Sequence, residues 1–402
     1  MNSSSFRIRP LAALAILVIF WPDARLKPII KRLTLLLLVL SNSNLFFFAS
    51  AAAQSSKPPW QAEWEKILEA ARKERTVVVS IPASAELRKN LAEVFEKRFP
   101  GIDLEVVPAR GASHINRIIE EKRAGVHYFD LHIGGSNSIV TGLLAEGILD
   151  TVSPFMITAE VRDPKNWWGG HLWVDKAHQY IYMFQAYLTE TIWYHTGAVK
   201  PDEITSYDDL LHPKWKGKIA MLDPRSPGSA DSTWGFLWAK KGEEYLKKLA
   251  GQDLIIGRNQ RQLAETVAKG KAALSIGLSY YVFLPFIKAG LPVKALPAPK
   301  EGFYGSSGSG NLTVLKKIPH PAAAKVFINW ILSKEGQQLF GRAMGQATRR
   351  LDVDTIWTRE FGHIAAKEVL TPERFFDLEN QSEEKINSER VPAAVLARKL
   401  FD

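Results

Sequence analysis

The chain has 402 residues, 46% of them hydrophobic, and a formal net charge of +10. This length and apolar content allow a large core and more than one domain. The absence of cysteine excludes disulfides, thiolate metal sites, a cysteine nucleophile and an N-terminal lipid-modified cysteine.

The N-terminal segment, residues 1–53, has the pattern of a secretory signal. The basic pair Lys31-Arg32 precedes an apolar run, and a second apolar stretch ends in small residues, so we predict cleavage after Ala51 or Ala53. The alternative is a membrane anchor, but the apolar run is short and polar residues interrupt it. A still earlier apolar run indicates either a signal-anchor or a true start further along the chain.

Removal of this segment also changes the charge. It holds six Lys or Arg and one Asp, so the net charge of the remaining chain falls to +5. That remainder has no Lys/Arg run of the kind that nucleic-acid-binding proteins carry. We therefore expect no nucleic-acid partner, whereas a small anionic ligand suits a mildly basic protein.

Strand-like and helix-like segments alternate in the first half of the mature chain. Apolar runs at 76–81, 102–107 and 128–133 predict buried strands, and a segment with helical spacing of its apolar residues follows each of them. This order predicts a parallel sheet with helices on both faces, in which ligands bind beyond the carboxyl ends of the strands. The loops at that edge carry Ser84, Arg110 and Ser136.

A second α/β unit follows extended strands that cross at 180–196. Its strand 218–222 leads to Gly228-Ser229 and a helix whose first N–H groups are free to bind an anion. The alternative for these two residues is an ordinary N-cap without a ligand.

A short apolar strand, 274–278, ends at two adjacent tyrosines, and Gly277 within it allows close backbone approach. If Tyr280 and Tyr281 sit just past the strand end, both hydroxyls can face one cleft. Otherwise one ring packs in the core and the other lies at the surface. The glycine-serine loop 305–310 further along is interpreted as a flexible loop or one that lines the site with its backbone.

Catalytic motifs are mostly absent. The sequence holds no GxGxxG fingerprint, no GxxxxGK[ST] loop, no HExxH and no GxSxG elbow. His114, His127 and His132 fit no known metal-site spacing and are interpreted as core or surface residues. Of the twelve tryptophans, Trp193 and Trp234 are the best placed to stack on a ligand, and the alternative is that they only pack in the core.

Five stretches, taken in order, resemble one protein family: 64–74 (WEKILEAARKE), 95–101 (FEKRFPG), 207–218 (YDDLLHPKWKGK), 267–273 (VAKGKAA) and 319–336 (PHPAAAKVFINWILSKEG). They are similar to bacterial extracellular solute-binding proteins of ABC importers, and most similar to the ferric-iron-binding branch. The stretches span nearly all of the mature chain.

The resemblance implies an α/β, two-lobe periplasmic-binding-protein fold (type 2), each lobe a mixed, mostly parallel sheet flanked by helices. Lobe 1 would comprise 60–185 and a return segment, 291–345. Lobe 2 would comprise 186–290, and the C-terminal helical segment 346–402 would pack mainly on it. The resemblance further implies a periplasmic, monomeric, non-enzymatic protein that passes its ligand to an ABC permease in the inner membrane.

In the ferric-binding branch two adjacent tyrosines bind the metal, and Tyr280 and Tyr281 resemble them. The synergistic anion is held by a loop that Gly228 and Ser229 match, and by an asparagine near Asn259. The chain departs from this branch at three positions, since it lacks the histidine after the first strand, the acidic residue after the third and the asparagine before the tyrosines. Two tyrosines without a carboxylate are a poor set of hard ligands for Fe³⁺.

We therefore predict a protein that needs no cofactor and binds a small polar or anionic ligand. The predicted ligand-binding residues are Ser84, Arg110, Ser136, Trp193, Gly228, Ser229, Asn259, Tyr280, Tyr281, Ser306 and Ser307. One alternative is Fe³⁺ with a synergistic anion, bound by Tyr280 and Tyr281. Another is a secreted saccharide-active enzyme that uses the tryptophans and Asp208.

Overall fold

The computed structural model describes residues 58–109, 112–225 and 228–402. The predicted signal segment, residues 1–53, and Arg110 lie outside the described residues, as does the side chain of Tyr281. None of the described helices combines the length and the apolar character needed to cross a membrane.

Within these ranges fifteen strands form three sheets. In chain order the strands are β1 (Thr76–Pro82), β2 (Asp103–Ala109), β3 (Leu131–Gly134), β4 (Leu149–Asp150), β5 (Leu172–Trp173), β6 (Tyr182–Met183), β7 (Tyr187–Thr189), β8 (Ile192–His195), β9 (Ile219–Leu222), β10 (Ile255–Gly257), β11 (Leu274–Ile276), β12 (Val293–Ala295), β13 (Gly305–Ser306), β14 (Asn311–Leu315) and β15 (His363–Ala365).

The α-helices of the described residues cover the sheets. In chain order they are α1 (Pro59–Glu74), α2 (Ala85–Arg98), α3 (Ala112–Arg123), α4 (Ser136–Ser138), α5 (Ala159–Arg162), α6 (Ser229–Ala250), α7 (Gln260–Ala268), α8 (Tyr280–Lys288), α9 (Pro321–Ile331), α10 (Lys334–Met344), α11 (Ala366–Val369), α12 (Pro372–Leu378), α13 (Glu383–Lys385) and α14 (Val391–Phe401). Short 3-10 and π turns connect several of them, including Tyr207–Leu211, Ile356–Phe361 and Ile386–Arg390.

The first sheet has the strand order β2-β1-β3-β14-β6-β5, with β4 paired to β14. β1 runs parallel to β2 and β3, as the alternating pattern predicts. β14 pairs antiparallel with β3, β4 and β6, so the sheet is mixed. Its antiparallel share is larger than predicted, because the chain returns into β14 from a loop and not through a crossover helix.

Both faces of this sheet are buried, which explains the uninterrupted apolar runs of the first strands. Val77 and Val79 pack into one hydrophobic core with α2 and α9, whereas Val78 packs into a second core with α3. Successive side chains of a strand point to opposite faces, so one run of valines supplies both cores.

The second sheet has the strand order β10-β9-β11-β8-β12. β9 runs parallel to β10 and β11, and β8 pairs antiparallel with β11 and β12. Here too the faces alternate, since Ile192 and Tyr194 belong to one core and Trp193 to another. The predicted mixed α/β architecture is therefore confirmed for both large sheets.

Two crossing segments of the chain lie side by side in the third sheet. β7 connects β6 of the first sheet to β8 of the second, and β13 connects β12 of the second sheet to β14 of the first. β7 and β13 pair antiparallel, and β15 pairs with the other edge of β7. The extended crossing strands predicted at 180–196 correspond to β6, β7 and β8.

The C-terminal segment contacts the second sheet's helices through α14. Trp234 of α6 donates a hydrogen bond of 3.0 Å from Nε1 to the Ala393 carbonyl, and its ring lies 5.6 Å from that of Phe401. β12 pairs with the second sheet although it falls in the segment expected to return to lobe 1. The domain boundaries given above stay predictions.

Candidate functional site

The parallel strands β9 and β11 end at one edge of the second sheet, where α6 and α8 begin. Gly277 follows β11 with φ of +75°, and a Cβ added there would lie 3.0 Å from Ala230 Cα. Ser229 Oγ donates a hydrogen bond of 2.7 Å to the Gly277 carbonyl. The predicted close backbone approach at Gly277 is confirmed, and it joins the first turn of α6 to the end of β11.

Tyr280 begins α8 at this edge and is half-buried. The centroid of its ring lies 5.7 Å from that of Trp193 and 6.0 Å from that of Phe361. Burial, followed by the negative charges of Glu360 and Glu190, raises the pKa of the phenol. Its hydroxyl makes no hydrogen bond to another described side chain, so it is a neutral group that is free to bind a ligand.

Glu190 lies between β7 and β8, and the sequence analysis missed it. Its N–H donates a hydrogen bond of 3.1 Å to the Gly362 carbonyl. A Cβ added to Gly362 would lie 2.9 Å from Glu190 Oε2 and 3.1 Å from Tyr280 Cβ. Burial raises the pKa of the Glu190 carboxyl. A signal was present, because Glu190 is the one Asp, Glu, Lys or Arg in the crossing segment 180–196.

The two tryptophans singled out in the sequence are buried. Trp193 is 2% exposed and stacks on Phe283, with ring centroids 4.7 Å apart. Its Nε1 has no hydrogen-bond partner among the described residues. Trp234 is fully buried and holds α14 through the hydrogen bond described above. Neither ring is exposed for stacking on a ligand in this structure.

Three predicted site residues already have partners inside the protein. Ser84 Oγ accepts a hydrogen bond of 3.1 Å from the Leu87 N–H and caps α2. Asn259 Oδ1 accepts from two N–H groups of the first turn of α7 and caps that helix. Ser136 is 1% exposed, and its Oγ donates a hydrogen bond of 2.9 Å to Gln381 Oε1. Gly228 caps α6 without a side chain.

Ser306 ends β13, and Ser307 begins the turn that joins β13 to β14. Ser306 Oγ accepts a hydrogen bond of 3.0 Å from the Gly308 N–H. Ser307 is fully buried, and its Oγ has no partner among the described residues. The side-chain amide of Gln185, also fully buried, lies against Gly310 in the same turn and is equally without a partner in the described part of the chain.

A buried carboxylate lies at the start of α6, where the sequence suggested an anion site. Asp231 is 4% exposed and forms an ion pair with Arg390 of the C-terminal segment. Asn137 Nδ2 donates a hydrogen bond of 2.9 Å to Asp231 Oδ2. The N-terminal end of a helix dipole favours a negative charge, and Asp231 supplies one from the protein itself.

The family of the chain follows from its sequence over this same region. Residues 80–338, more than half of the chain, match the sequence model of the family described as bacterial extracellular solute-binding protein. The chain belongs to this family. The crossing strands, Tyr280 and the first turn of α6 all lie within the matched range.

Two curated relatives of this solute-binding chain match parts of it. An uncharacterized protein of Haemophilus influenzae is 31% identical over 137 residues, which are 33% of this chain and 38% of the relative. Iron uptake protein A1 of Synechocystis sp. is 25% identical over 158 residues, 36% of this chain and 44% of the relative. The chain thus spans less than half the length of the curated relatives it matches.

Solved structures of solute-binding proteins share the fold over most of the chain. Iron-bound HitA from Pseudomonas aeruginosa has a TM-score of 0.61 at 19% identity, covering 81% of this chain and 99% of that one. AfuA from Actinobacillus pleuropneumoniae, with fructose-6-phosphate bound, has a TM-score of 0.57 at 18% identity, covering 81% and 97%. At these identities the likeness shows the fold, and it confirms the predicted two-lobe periplasmic-binding-protein class.

A metal site in this solute-binding protein would need oxygen ligands near Tyr280. Among the described residues no group of three or more His, Asp or Glu is placed to hold a metal ion. His114 and His132 both hydrogen-bond to Ser80, at 2.7 and 2.8 Å, and burial lowers the pKa of His132 to about 3. Glu190 lies beside Tyr280 against Gly362, and the negative charge of Glu360 also acts on Tyr280.

Proposed function

We propose that this chain is the periplasmic solute-binding component of an ABC importer, which captures a small polar solute between its two large sheets and delivers it to a membrane permease. The observation that carries this proposal is the family match over residues 80–338. The pairing of β7 with β13, which places both crossing segments side by side, supports it because such a connection lets two sheet units move about a narrow hinge.

The solute would bind at the edge of the second sheet where Tyr280 and Glu190 lie. Both groups are half-buried and lack hydrogen-bond partners among the described side chains, so they are free to contact a solute. Arg110 and the side chain of Tyr281 are proposed to contribute from the same edge or the facing one. Ser84, Ser136, Gly228, Ser229, Asn259, Ser306 and Ser307 are proposed to shape the site, chiefly through the backbone and the hydrogen bonds that they hold.

A titration with the isolated protein tests this proposal. Native mass spectrometry of the mature chain as purified would identify a solute that stays bound. A thermal-shift screen of metal ions, amines, sugar phosphates and inorganic phosphate would identify a solute that dissociated during purification. A bound solute raises the melting temperature as its concentration passes its dissociation constant. Failure of every probe to bind, with hydrolysis of a saccharide substrate instead, would contradict the proposal.

Ferric iron is a second candidate solute, favoured by the similarity to two iron-related proteins. The curated relative from Synechocystis is an iron uptake protein, and the HitA structure is iron-bound. Tyr280 and Tyr281 would supply phenolate oxygens, which are hard ligands suited to Fe³⁺. Addition of Fe³⁺ would then produce a visible phenolate-to-iron absorption band, and Tyr280→Phe would weaken or abolish it.

The saccharide-active enzyme is the less supported alternative. Trp193 and Trp234 are buried, and Asp208 forms an ion pair of 2.7 Å with Lys241. A stacking platform would need to be exposed to the sugar, which neither ring is, and the exposed carboxylate of Asp208 is held by Lys241. We therefore propose a non-enzymatic role, which turnover assays on saccharide substrates would test.

The location and the boundaries are part of the same proposal. We propose that residues 1–53 direct secretion and are removed near Ala51 or Ala53, so that a monomeric mature chain remains in the periplasm. We also propose that the boundaries between the two lobes lie near residues 185, 290 and 345. N-terminal sequencing of the exported protein and its mass in solution would check both points.

A further inference from the structure

We propose that Glu190 gives the solute site a negative end beside Tyr280, so that the site takes a solute bearing positive charge. This inference rests on the proposed solute-binding function and names the charge of the solute. It differs from the anionic solute that the composition and the helix N-terminus of α6 suggested.

The first observation is the position of the Glu190 carboxylate. Gly362 approaches Glu190 and Tyr280 from the C-terminal segment, and a single added Cβ at Gly362 would touch both, at 2.9 Å from Oε2 and 3.1 Å from Cβ respectively. Gly362 has φ of +66° and no side chain, which lets its backbone pack directly against both residues. The Glu190 carboxylate and Tyr280 therefore lie side by side against Gly362.

The second observation is that the carboxylate has no counter-charge. None of the ion pairs among the described residues involves Glu190, and burial alone accounts for the raised pKa of its carboxyl. Glu360 adds a further negative charge near Tyr280. A half-buried carboxylate without a partner costs free energy, and a bound positive charge would remove that cost.

The third observation concerns the aromatic groups around the same point. The indole carbon Cζ2 of Trp193 lies 3.5 Å from the added Cβ of Gly362. The rings of Tyr280 and Phe361 lie within ring-contact distance of each other. Of these rings Tyr280 and Phe361 are half-buried, and the face of the Tyr280 ring carries negative charge density that attracts a cation.

Two of the serines predicted to hold an anion are already engaged, and the first turn of α6 carries a carboxylate of its own. Ser229 donates its hydroxyl to the Gly277 carbonyl, Ser136 donates to Gln381, and Asp231 places a carboxylate on the first turn of α6. None of these described groups offers an unpaired positive charge to an anion.

Two kinds of small solute carry the positive charge that this site would take: a metal ion and a protonated amine. A trivalent metal ion would bind the carboxylate and a phenolate oxygen of Tyr280. A protonated amine would bind the carboxylate and the face of the ring, and would not need the hydroxyl. The variant Tyr280→Phe separates them, because it removes the oxygen and keeps the ring.

The experiment is a set of calorimetric titrations of the mature wild-type chain, Glu190→Gln and the control Glu384→Gln. Glu384 is an exposed carboxylate of α13, so the control removes one charge away from the site. The probes are Fe³⁺ added as its nitrilotriacetate complex, with the chelator alone as a blank, together with putrescine, choline, inorganic phosphate and fructose-6-phosphate. Circular dichroism verifies that each variant is folded.

We expect Fe³⁺ or one of the amines to bind wild type and Glu384→Gln, and Glu190→Gln to lose roughly tenfold or more in affinity for it. Tyr280→Phe should abolish Fe³⁺ binding if the solute is the metal, and should leave amine binding within a small factor if it is the amine. If Glu190→Gln does not fold, the wild-type preference for cationic over anionic probes still decides the charge.

Two results would overturn the inference while leaving the proposed function intact. One is that a phosphate probe, or an anionic solute found by native mass spectrometry, binds to Glu190→Gln with an affinity equal to or higher than that of wild type. The other is a cation whose affinity is the same in Glu190→Gln as in wild type. Absence of any bound solute, in both the titrations and the mass spectra, would instead overturn the proposed function and this inference with it.

Discussion

Asn137 Nδ2 donates a hydrogen bond of 2.9 Å to Asp231 Oδ2, and this bond joins α4, which follows β3 of the first sheet, to the first turn of α6 beside the second sheet. Arg390 binds the same carboxylate from the C-terminal segment. Three parts of the chain that are distant in sequence therefore meet at one buried negative charge.

Asp231→Ala should destabilise the protein strongly, because it leaves the guanidinium of Arg390 buried without its counter-charge. Breaking a buried ion pair from one side costs about 3–5 kcal/mol. Urea denaturation should show a loss of that size in the free energy of unfolding. The control is Glu265→Ala, which breaks an exposed ion pair with Lys269 and should cost far less, because solvent screens exposed pairs.

The double variant Asp231→Leu/Arg390→Met should regain much of that stability, because it removes both charges together. Equal losses for Asp231→Ala and Glu265→Ala would show that the buried pair is not formed in solution.

Gly277→Ala should destabilise the protein more than Gly290→Ala. Both glycines have φ of +75°, so both substitutions strain the backbone by about 1–2 kcal/mol. Only at Gly277 does the new Cβ also meet backbone, at 3.0 Å from Ala230 Cα, whereas nothing lies within 4 Å of a Cβ at Gly290. The difference between their unfolding free energies in urea measures the contact, and a difference of zero would refute it.

The stability of the protein should fall as the pH drops below about 6.5, and His132 should account for part of the fall. Burial, followed by the charge of His114, lowers the pKa of His132 to about 3 in the folded chain. Between that value and the unfolded pKa of about 6.5, the unfolded chain binds the proton and the folded chain does not. Stability is therefore complete above about 6.5 and is lost progressively down to about 3.

His132→Asn should reduce the slope of unfolding free energy against pH by about 1.4 kcal/mol per pH unit within that window. Urea denaturation at several pH values between 7 and 4 measures the slope. His178→Asn, on an exposed turn, is the control for replacement of a histidine by asparagine. Part of the slope should persist in His132→Asn, because burial also lowers the pKa of His363, to about 4. An unchanged slope in His132→Asn would contradict the assignment.

Trp234→Phe should loosen the C-terminal helix α14. The substitution removes the hydrogen bond to the Ala393 carbonyl and leaves a cavity in a fully buried position, at a cost of about 1–3 kcal/mol. Limited proteolysis should cut the last residues faster, and the urea midpoint should fall. Trp238→Phe serves as the matched control, since Trp238 is only half-buried and should lose less. Equal cleavage rates would count against the role of Trp234.

Local sequence pattern determined much of the fold. The apolar runs at 76–81 and 274–278 correspond to β1 and β11, and the alternation of strands with helices yields the parallel β2-β1-β3 group. Gly277 also behaves as its sequence context predicts. These features follow from side-chain periodicity and glycine geometry, which depend only on near neighbours along the chain.

The candidate site was only partly predictable. Tyr280 lies at the sheet edge that the strand pattern indicated, but Ser84 and Asn259 turn out to cap helices, and Ser136 bonds to Gln381. A polar residue after a strand has the same sequence signature whether it caps a helix or meets a solute, because both uses need the same exposed oxygen.

Side-chain periodicity along the chain predicts which segments form strands and helices and how they alternate, and the sequence match identifies the family. Which polar groups already have partners and which are free depends on how distant segments pack together. Ser136 and Gln381 are 245 positions apart and Asp231 and Arg390 are 159 apart, so their contacts depend on how the sheets and the C-terminal segment pack. The same packing brings Gly362 against Glu190 and leaves that carboxylate without a partner among the described residues.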